Sequence, residues 1–527
     1  MQRQLQRHGR VQPSIDFVRW TPIAGLAAGL AIALVPASTA SASPVLTLRA
    51  DGTVVTREDP YLPPAQAMPR VEAVPRAPKR SSQPRRKASR APATLRAKRK
   101  TVRSELRRLL KAGALSSAEY KRYRSIYANA RTTRSKLRGA RRVALSAPII
   151  NLARIARAGR LSASRVPALL ETVRRNRAWW SNGRLLGGGQ RVAFEGSELV
   201  WQYYAGQGLQ IQWLGTFGRA NALWSVTKKD AALRVLLDEA LRLAAGRAGG
   251  IAFEYLFRFG GGSPPWVSGL AQGTAIQALS RAAAKLNEPR YMQAARRALG
   301  IFRRSPSTGV GLRIGSGTHY LIYSYARGLR VLNAFAQALN GLYDYTALSG
   351  DPEGRALFAR GEAQLRRELP RYDTGAWSRY SFGVDSNLNY HTLSRDFLRS
   401  LCKKLEGENA ATAAPGVSAE PYCSAGDRFS AYLKRDPTLK LVSRSVRAGR
   451  PASVRLRVSK PSFVKVAIYR QGSVVAVMTA HVSGGRRSLR WARPRFRGDY
   501  RVKLRATDLA GNVGTAEGDL RVLKRRK

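Results

Sequence analysis

The sequence predicts a multidomain, mainly α-helical protein with an all-β module at its C-terminus and a disordered basic linker near its N-terminus. Three observations predict this. Residues 190–430 alternate amphipathic helical stripes with aromatic and Gly-rich connections. Residues 436–527 change to apolar/polar alternation with a turn signal every eight to twelve positions. Residues 43–103 are rich in Pro, Ala, Arg and Ser and have almost no apolar periodicity. A chain of 527 residues has room for two to four such units.

The first 42 residues carry a leader pattern. Arg3, Arg7, Arg10 and Arg19 surround and precede the apolar run IAGLAAGLAIALV, and Ala40 and Ala42 flank Ser41 as a signal peptidase requires. A signal peptide spanning 1–42 and cleaved after Ala42 is expected. The alternative is an uncleaved anchor, for which the run is short of the roughly 20 residues of a span. Export to the medium or the cell envelope follows from this expectation. The linker 43–103 comes next. Between Arg70 and Arg108, 15 Lys or Arg stand against two acids, Glu72 and Glu105, which predicts either a solvated spacer or an electrostatic tether.

Residues 104–189 hold a weak repeat, KAGALSSAEY at 111 and RAGRLSASRV at 157. Gly113 and Gly159 suit the position after a helix C-cap, and Ser116 with Glu119 forms a capping box. Two short helical hairpins are predicted. From Arg191 the aromatics cluster. ELVWQYYAGQGLQIQWLGTFGRANALW favours strands, and KDAALRVLLDEALRLAAG puts Leu233, Leu236, Leu237, Ala240 and Leu241 on one helical stripe. GIAFEYLFRFGGGSPPW reads as a strand and a Gly/Pro turn. Helices follow over VSGLAQGTAIQALSRAAAKL, near 289–303, and over 329–348, 353–369 and 392–405. Helices in pairs joined by such loops suggest an α/α toroid over 190–430, with its loops gathered at one end. The alternation over 436–527 suggests an immunoglobulin-like β-sandwich, an accessory or attachment module.

The formal charge is +61, from 93 Lys and Arg against 32 Asp and Glu. Such a chain calls for an anionic polymer. Export sets nucleic acid aside and favours an acidic, uronate-containing polysaccharide, with cell-envelope polyanions beside it. The two cysteines, Cys402 and Cys423, suggest a disulfide in an oxidising compartment, and two buried thiols are the alternative. Cys and His never fall at metal-ligand spacing, so no metal is expected.

Three stretches carry a resemblance. WVSGLAQGTAIQALSRA (Trp266–Ala282), YSYARGLRVLNAFAQALNGLYDY (Tyr323–Tyr345), and LPRYDTGAWSRYS with NLNYHTLSRDFLRSL resemble, in order, motifs of the C-terminal catalytic domain of D-glucuronyl C5-epimerases. SELVWQYYAGQGLQIQWL resembles the family's segment just upstream. The likeness spans roughly residues 190–405 and implies a helical catalytic domain that inverts uronate C5 without a cofactor. It implies catalytic tyrosines at Tyr323 (or Tyr325, two residues on), Tyr380 and Tyr390. Gln272, Arg327, Arg379 and His391 are the implied substrate contacts. Two departures stand out. Ile322 occupies the position where the family places an acid, and SFGVD follows Tyr380 where the family has Asp-Leu-Arg. Asp344, Asp373 and Asp385 are the acids left in these stretches.

The chemistry explains the tyrosines. Epimerisation removes a proton α to a carboxylate and returns one from the opposite face, so it needs two proton-transfer groups and a way to hold extra negative charge. A phenol beside an arginine would have its pKa lowered, because a cation favours the phenolate. A second reading is an epimerase-like module that has lost its chemistry and holds anionic glycans on a basic surface.

Overall fold

The computed structural model describes residues 43–62 and 100–524. The leader and most of the linker, residues 63–99, lie outside the described residues. The start of the expected linker is ordered, however. Strands β1 (Ser43–Leu48) and β2 (Val54–Asp59) form a hairpin closed by Gly52 at φ +87°. Val45, Leu46 and Leu48 are buried. The basic composition of the wider segment hid this short apolar run.

Four helices come next: α1 (Val102–Lys111), α2 (Ser117–Lys136), α3 (Gly139–Arg157) and α4 (Val166–Asn182). Thr101 caps α1, and Ser116 and Glu119 close the capping box of α2. Gly113 and Gly159 end α1 and α3 with φ near +65°, as the repeat predicts. Strands β3 (Arg191–Phe194), β4 (Trp201–Tyr204) and β5 (Gly208–Ile211) then join the N-terminal hairpin in one sheet, ordered β2-β1-β3-β4-β5. Strand β1 runs parallel to β3.

The centre is built from helical hairpins: α5 (Trp213–Trp224) with α6 (Asp230–Arg242), and α7 (Gly269–Leu286) with α8 (Pro289–Ala298) and the short α9 (Gly300–Arg303). After these come α10 (Leu332–Ser349) with α11 (Pro352–Glu368), and α12 (Leu388–Leu405) with the short α13 (Ala410–Ala413) and α14 (Glu420–Tyr432). Two-stranded ribbons lie between them: β6 (Ala245–Arg247) with β7 (Gly250–Ala252), β8 (Gly311–Ile314) with β9 (Gly317–Tyr320), and β10 (Arg379–Ser381) with β11 (Val384–Asp385). The stripe Leu233, Leu236, Leu237 and Ala240 is buried as predicted. Two elements differ from expectation. Residues 213–224 are helical, because Gln212 accepts from Gly215 N at 2.6 Å and starts a helix that buries Trp213 and Phe217. Helix α12 begins at Leu388 rather than 392, because Asn387 Oδ1 accepts from Tyr390 N.

Helices α5, α7, α10 and α12 lie side by side and run in one direction. Asn221 of α5 reaches the carbonyl of Thr274, and Lys285 of α7 reaches that of Trp224. Gln337 pairs with Gln277, and Arg281 with Asp344. Asn340 meets the carbonyl of Phe397, and Lys404 pairs with Asp344. Helices α7 and α10 touch backbone to backbone: a Cβ on Gly341 would fall 2.1 Å from the Gly273 carbonyl oxygen. Cys402 and Cys423 are bridged, with Cα atoms 4.9 Å apart, tying α12 to α14. Reduction, or Cys402→Ser with Cys423→Ser, is expected to cost about 3 kcal/mol in a loop of this size. Denaturant midpoints with and without reductant measure it.

The C-terminal module has two sheets. Strands β12 (Leu439–Leu441), β14 (Ala452–Val458) and β17 (Gly485–Trp491) form one, in the order β12-β14-β17. Strands β13 (Ser445–Arg447), β15 (Ser462–Arg470), β16 (Ser473–Val482), β18 (Gly498–Asp508) and β19 (Val513–Leu523) form the other, in the order β13-β19-β18-β15-β16. Alternate residues such as Val454, Leu456, Val466, Leu489, Val502 and Leu504 meet in one apolar cluster. The module is anchored to the helices by buried Lys460, whose ammonium donates to the carbonyls of Tyr432 and Arg435 and to Asp508.

Candidate active site

The four parallel helices start at the same side of the molecule, and the aromatic loops meet there. Segment 321–324 is zipped onto the head of α7: Gly269 N donates to the Leu321 carbonyl, and Ser324 N to that of Val267. Tyr255 and Trp266 form an isolated antiparallel bridge with rings stacked 4.3 Å apart. The Trp266 ring meets Tyr323 edge-on at 5.3 Å and Tyr325 at 5.5 Å. The Tyr323 and Tyr325 rings stack nearly parallel, 5.4 Å apart, in a turn closed by the Ala326 N–H donating to the Tyr323 carbonyl. Both candidates the motif offers thus lie at this spot.

Tyr380 and Tyr390 form the opposite wall. Tyr380 sits on β10, pinned where Ser381 bridges Val331 at the head of α10. Tyr390 lies in the first turn of α12, inside the helix rather than before it, with its ring 4.7 Å from that of Tyr380. The Tyr323 phenol is raised well above its usual pKa by burial first and then by the neighbouring phenols of Tyr380, Tyr325, Tyr390 and Tyr255. The predicted trio is thus brought together, with Tyr325 and Tyr255 added. The aromatic period in FEYLFRF, with Tyr255, Phe257 and Phe259 at every second residue, carried the signal for Tyr255.

The electrostatics reverse the expectation of acidified phenols. Burial pushes Tyr390 up to about 12 and raises Tyr380, Tyr325 and Tyr255 as well. For Tyr323, Tyr380 and Tyr390 burial is the largest influence and the net direction is upward. Arg379 is committed to the backbone, its Nη1 donating to the Arg371 carbonyl at 2.9 Å. Arg327 is exposed and reaches the Pro306 carbonyl. Ile322 is buried among apolar neighbours. What the pocket offers instead is backbone. Leu214 N, in the first turn of α5, donates to Tyr255 Oη at 3.3 Å, and the heads of α7, α10 and α12 lie at the same loops. Helix N-termini carry partial positive charge of about half a unit each.

Two further residues expected at the substrate are structural. Gln272 is buried on α7. Its amide donates to the carbonyls of Ile251 and Ala298 at 3.1 and 3.2 Å, and its oxygen accepts from Phe253 N. His391 is fully buried and stacks on Trp377 at 3.8 Å. Its Nε2–H donates to the Phe429 carbonyl, which leaves Nδ1 to accept from Ser378. Burial lowers its pKa to about 4, so the ring is neutral near pH 7. The acids are also committed elsewhere. Asp344 pairs with Arg281 and Lys404 three turns down α10, Asp373 with Arg428 and Tyr432, and Asp385 accepts from Gly484 N.

Residues 248–413 match the family model described as D-glucuronyl C5-epimerase C-terminus. The chain is 32% identical over 152 residues to the D-glucuronyl C5-epimerase of Caenorhabditis elegans, a match that covers 25% of this chain and 24% of that protein. It is 28% identical over 139 residues to an uncharacterized protein of Methanocaldococcus jannaschii, covering 25% of this chain and 45% of that one. The chain thus spans a quarter to a half of the length of these relatives. Among solved structures, an unsaturated glucuronyl hydrolase specific for heparin aligns at 14% identity and a TM-score of 0.30, over 42% of this chain and 60% of that one. The resemblance read from the three motifs is therefore shown for the segment that builds the tyrosine pocket.

Proposed function

We propose that this epimerase-related segment makes the protein a uronyl C5-epimerase acting on an acidic polysaccharide, exported by the leader at 1–42. The row of helical hairpins is read as part of an α/α toroid, and the two-sheet module as immunoglobulin-like. The observation that carries the proposal is the meeting of Tyr323, Tyr380 and Tyr390 in one pocket at the heads of parallel helices, within the matched segment.

The proposed step balances as follows. A phenolate on one wall takes the C5 proton, the electron pair moves into the adjacent carboxylate, and a phenol on the other wall returns a proton to the opposite face of C5. One tyrosine gains a proton and the other loses one. Helix N-termini hold the added negative charge in place of the missing arginine. The rings are covered at rest, with Tyr323, Tyr380 and Tyr390 only 5%, 8% and 7% exposed. The turn Gly260–Gly262 lies against the neighbouring Tyr325: a Cβ on Gly262 would meet its ring at 2.3 Å. Movement of that turn is the proposed way in.

Solvent deuterium incorporation at uronate C5 of heparosan tests the proposal. A wild-type protein that binds heparosan without exchange favours the second reading, an inactive glycan-binding module, to which the raised phenol pKa values also point. The pH dependence is specific. Tyr390 titrates at about 12, so its phenolate fraction grows about tenfold for each pH unit from neutral upward. Exchange should rise about a hundredfold between about pH 7 and pH 9. A plateau below about pH 8 would assign the base to another group.

A further inference from the structure

The two outer faces of the C-terminal module differ in how their charges are matched. On the five-stranded sheet, Arg501 and Lys503 pair with Glu517, and Arg521 with Asp499. Strands β12, β14 and β17 contain no acid at all. Their outward positions are Lys440, then Ser453, Arg455 and Arg457, then Arg486, Ser488 and Arg490, all exposed. None of these five cations makes an ion pair among the described residues. The register places them in rows. Lys440 stands opposite Arg457, and Arg457 opposite Arg486. With strands about 4.8 Å apart, three like charges cross the sheet in about 10 Å. Like charges directly opposite one another destabilise a sheet, and no neighbouring acid offsets that cost here.

The position of this face matters as much as its charge. Gly484, two residues before Arg486, donates its N–H to Asp385 at 3.1 Å. Asp385 lies on β11, which pairs with the strand bearing Tyr380. The row Lys440–Arg457–Arg486 is therefore the end of the sheet nearest the tyrosine pocket, and buried Lys460 fixes the module to the helices.

We propose that the outward face of β12-β14-β17 is a docking strip for an acidic polysaccharide and leads the chain toward the tyrosine pocket. The charge grid stands by itself; the choice of a uronate polymer as occupant rests on the proposed function. The grid is solvent-facing, so its contribution is electrostatic and screened by salt.

The test uses the full chain with the triple variant Lys440→Ser, Arg457→Ser, Arg486→Ser, and as control Lys121→Ser, Arg124→Ser, Arg131→Ser on α2. Both remove three positive charges. Heparosan affinity at about 0.1 M salt should fall about tenfold or more in the strip variant, and its salt dependence should shallow by roughly one log unit per cation lost. The control should bind nearly as wild type, and both should melt near the wild-type temperature. Exchange on short heparosan oligosaccharides should be unchanged in the strip variant. Equal losses in both variants would mean net charge alone binds the polymer, and would overturn the proposal. So would unchanged binding in the strip variant, or a larger loss for duplex DNA than for heparosan. A wild type that binds through the strip but never exchanges C5 protons sinks only the epimerase reading. One that exchanges but binds independently of the strip sinks only this proposal.

Discussion

Tyr390→Phe is expected to lower C5 proton exchange by about 10²–10⁴-fold, the usual worth of a general acid or base, while heparosan affinity stays near wild type. The substitution keeps the ring that packs 4.7 Å from Tyr380 and removes only the hydroxyl. The first turn of α12 is held by the Asn387 cap and by His391, which do not depend on that hydroxyl. The loss should therefore fall on the chemical step, with KM little changed. A mutant that melts early and exchanges in proportion to its folded fraction would make Tyr390 a packing residue. Tyr380→Phe should behave alike, because the two phenols share a wall.

Lys460→Met should have the largest effect on stability, about 3–5 kcal/mol, as expected when one partner of a buried ion pair is removed. The lysine is 1% exposed, and all three of its N–H donors are used, on two carbonyls at the end of α14 and on Asp508. Its loss leaves the Asp508 carboxylate with only Asn512 as a side-chain partner among the described residues. It also leaves two carbonyls at the junction without their donor. Thermal unfolding should separate into two transitions, one for the helices and one for the β module, with new protease cleavage near residues 433–437. A single transition at the wild-type temperature would mean the apolar contacts at the junction suffice without the lysine.

Much of the fold was legible in the sequence where the signal is local. The caps at Ser116 and Glu119, the glycines at 113 and 159, and the stripe on α6 all depend on residues within one or two turns of each other. The alternation over 452–523 likewise required only a period of two. Local signals failed where aromatic content argued for a strand over 213–224, because burying Trp213 and Phe217 against Phe253 outweighs strand preference. They failed again over 43–62, where a short apolar run gains its stability from pairing with β3, far along the chain.

By itself, the sequence pointed to Tyr323 (or Tyr325), Tyr380 and Tyr390, because ordered motifs mark them as positions along the chain. It also limited any disulfide to Cys402 with Cys423, while the fold decided that the bridge forms. Only the tertiary structure decided what surrounds them. Tyr255 joins the pocket, Tyr325 stacks beside Tyr323, His391 and Gln272 are consumed as braces, and Arg379 is held by the Arg371 carbonyl. The phenols are raised rather than lowered in pKa for the same reason. The sequence counts 93 cations, but whether one of them acts on a phenol depends on which faces fold inward, and for Tyr323 burial is the largest influence.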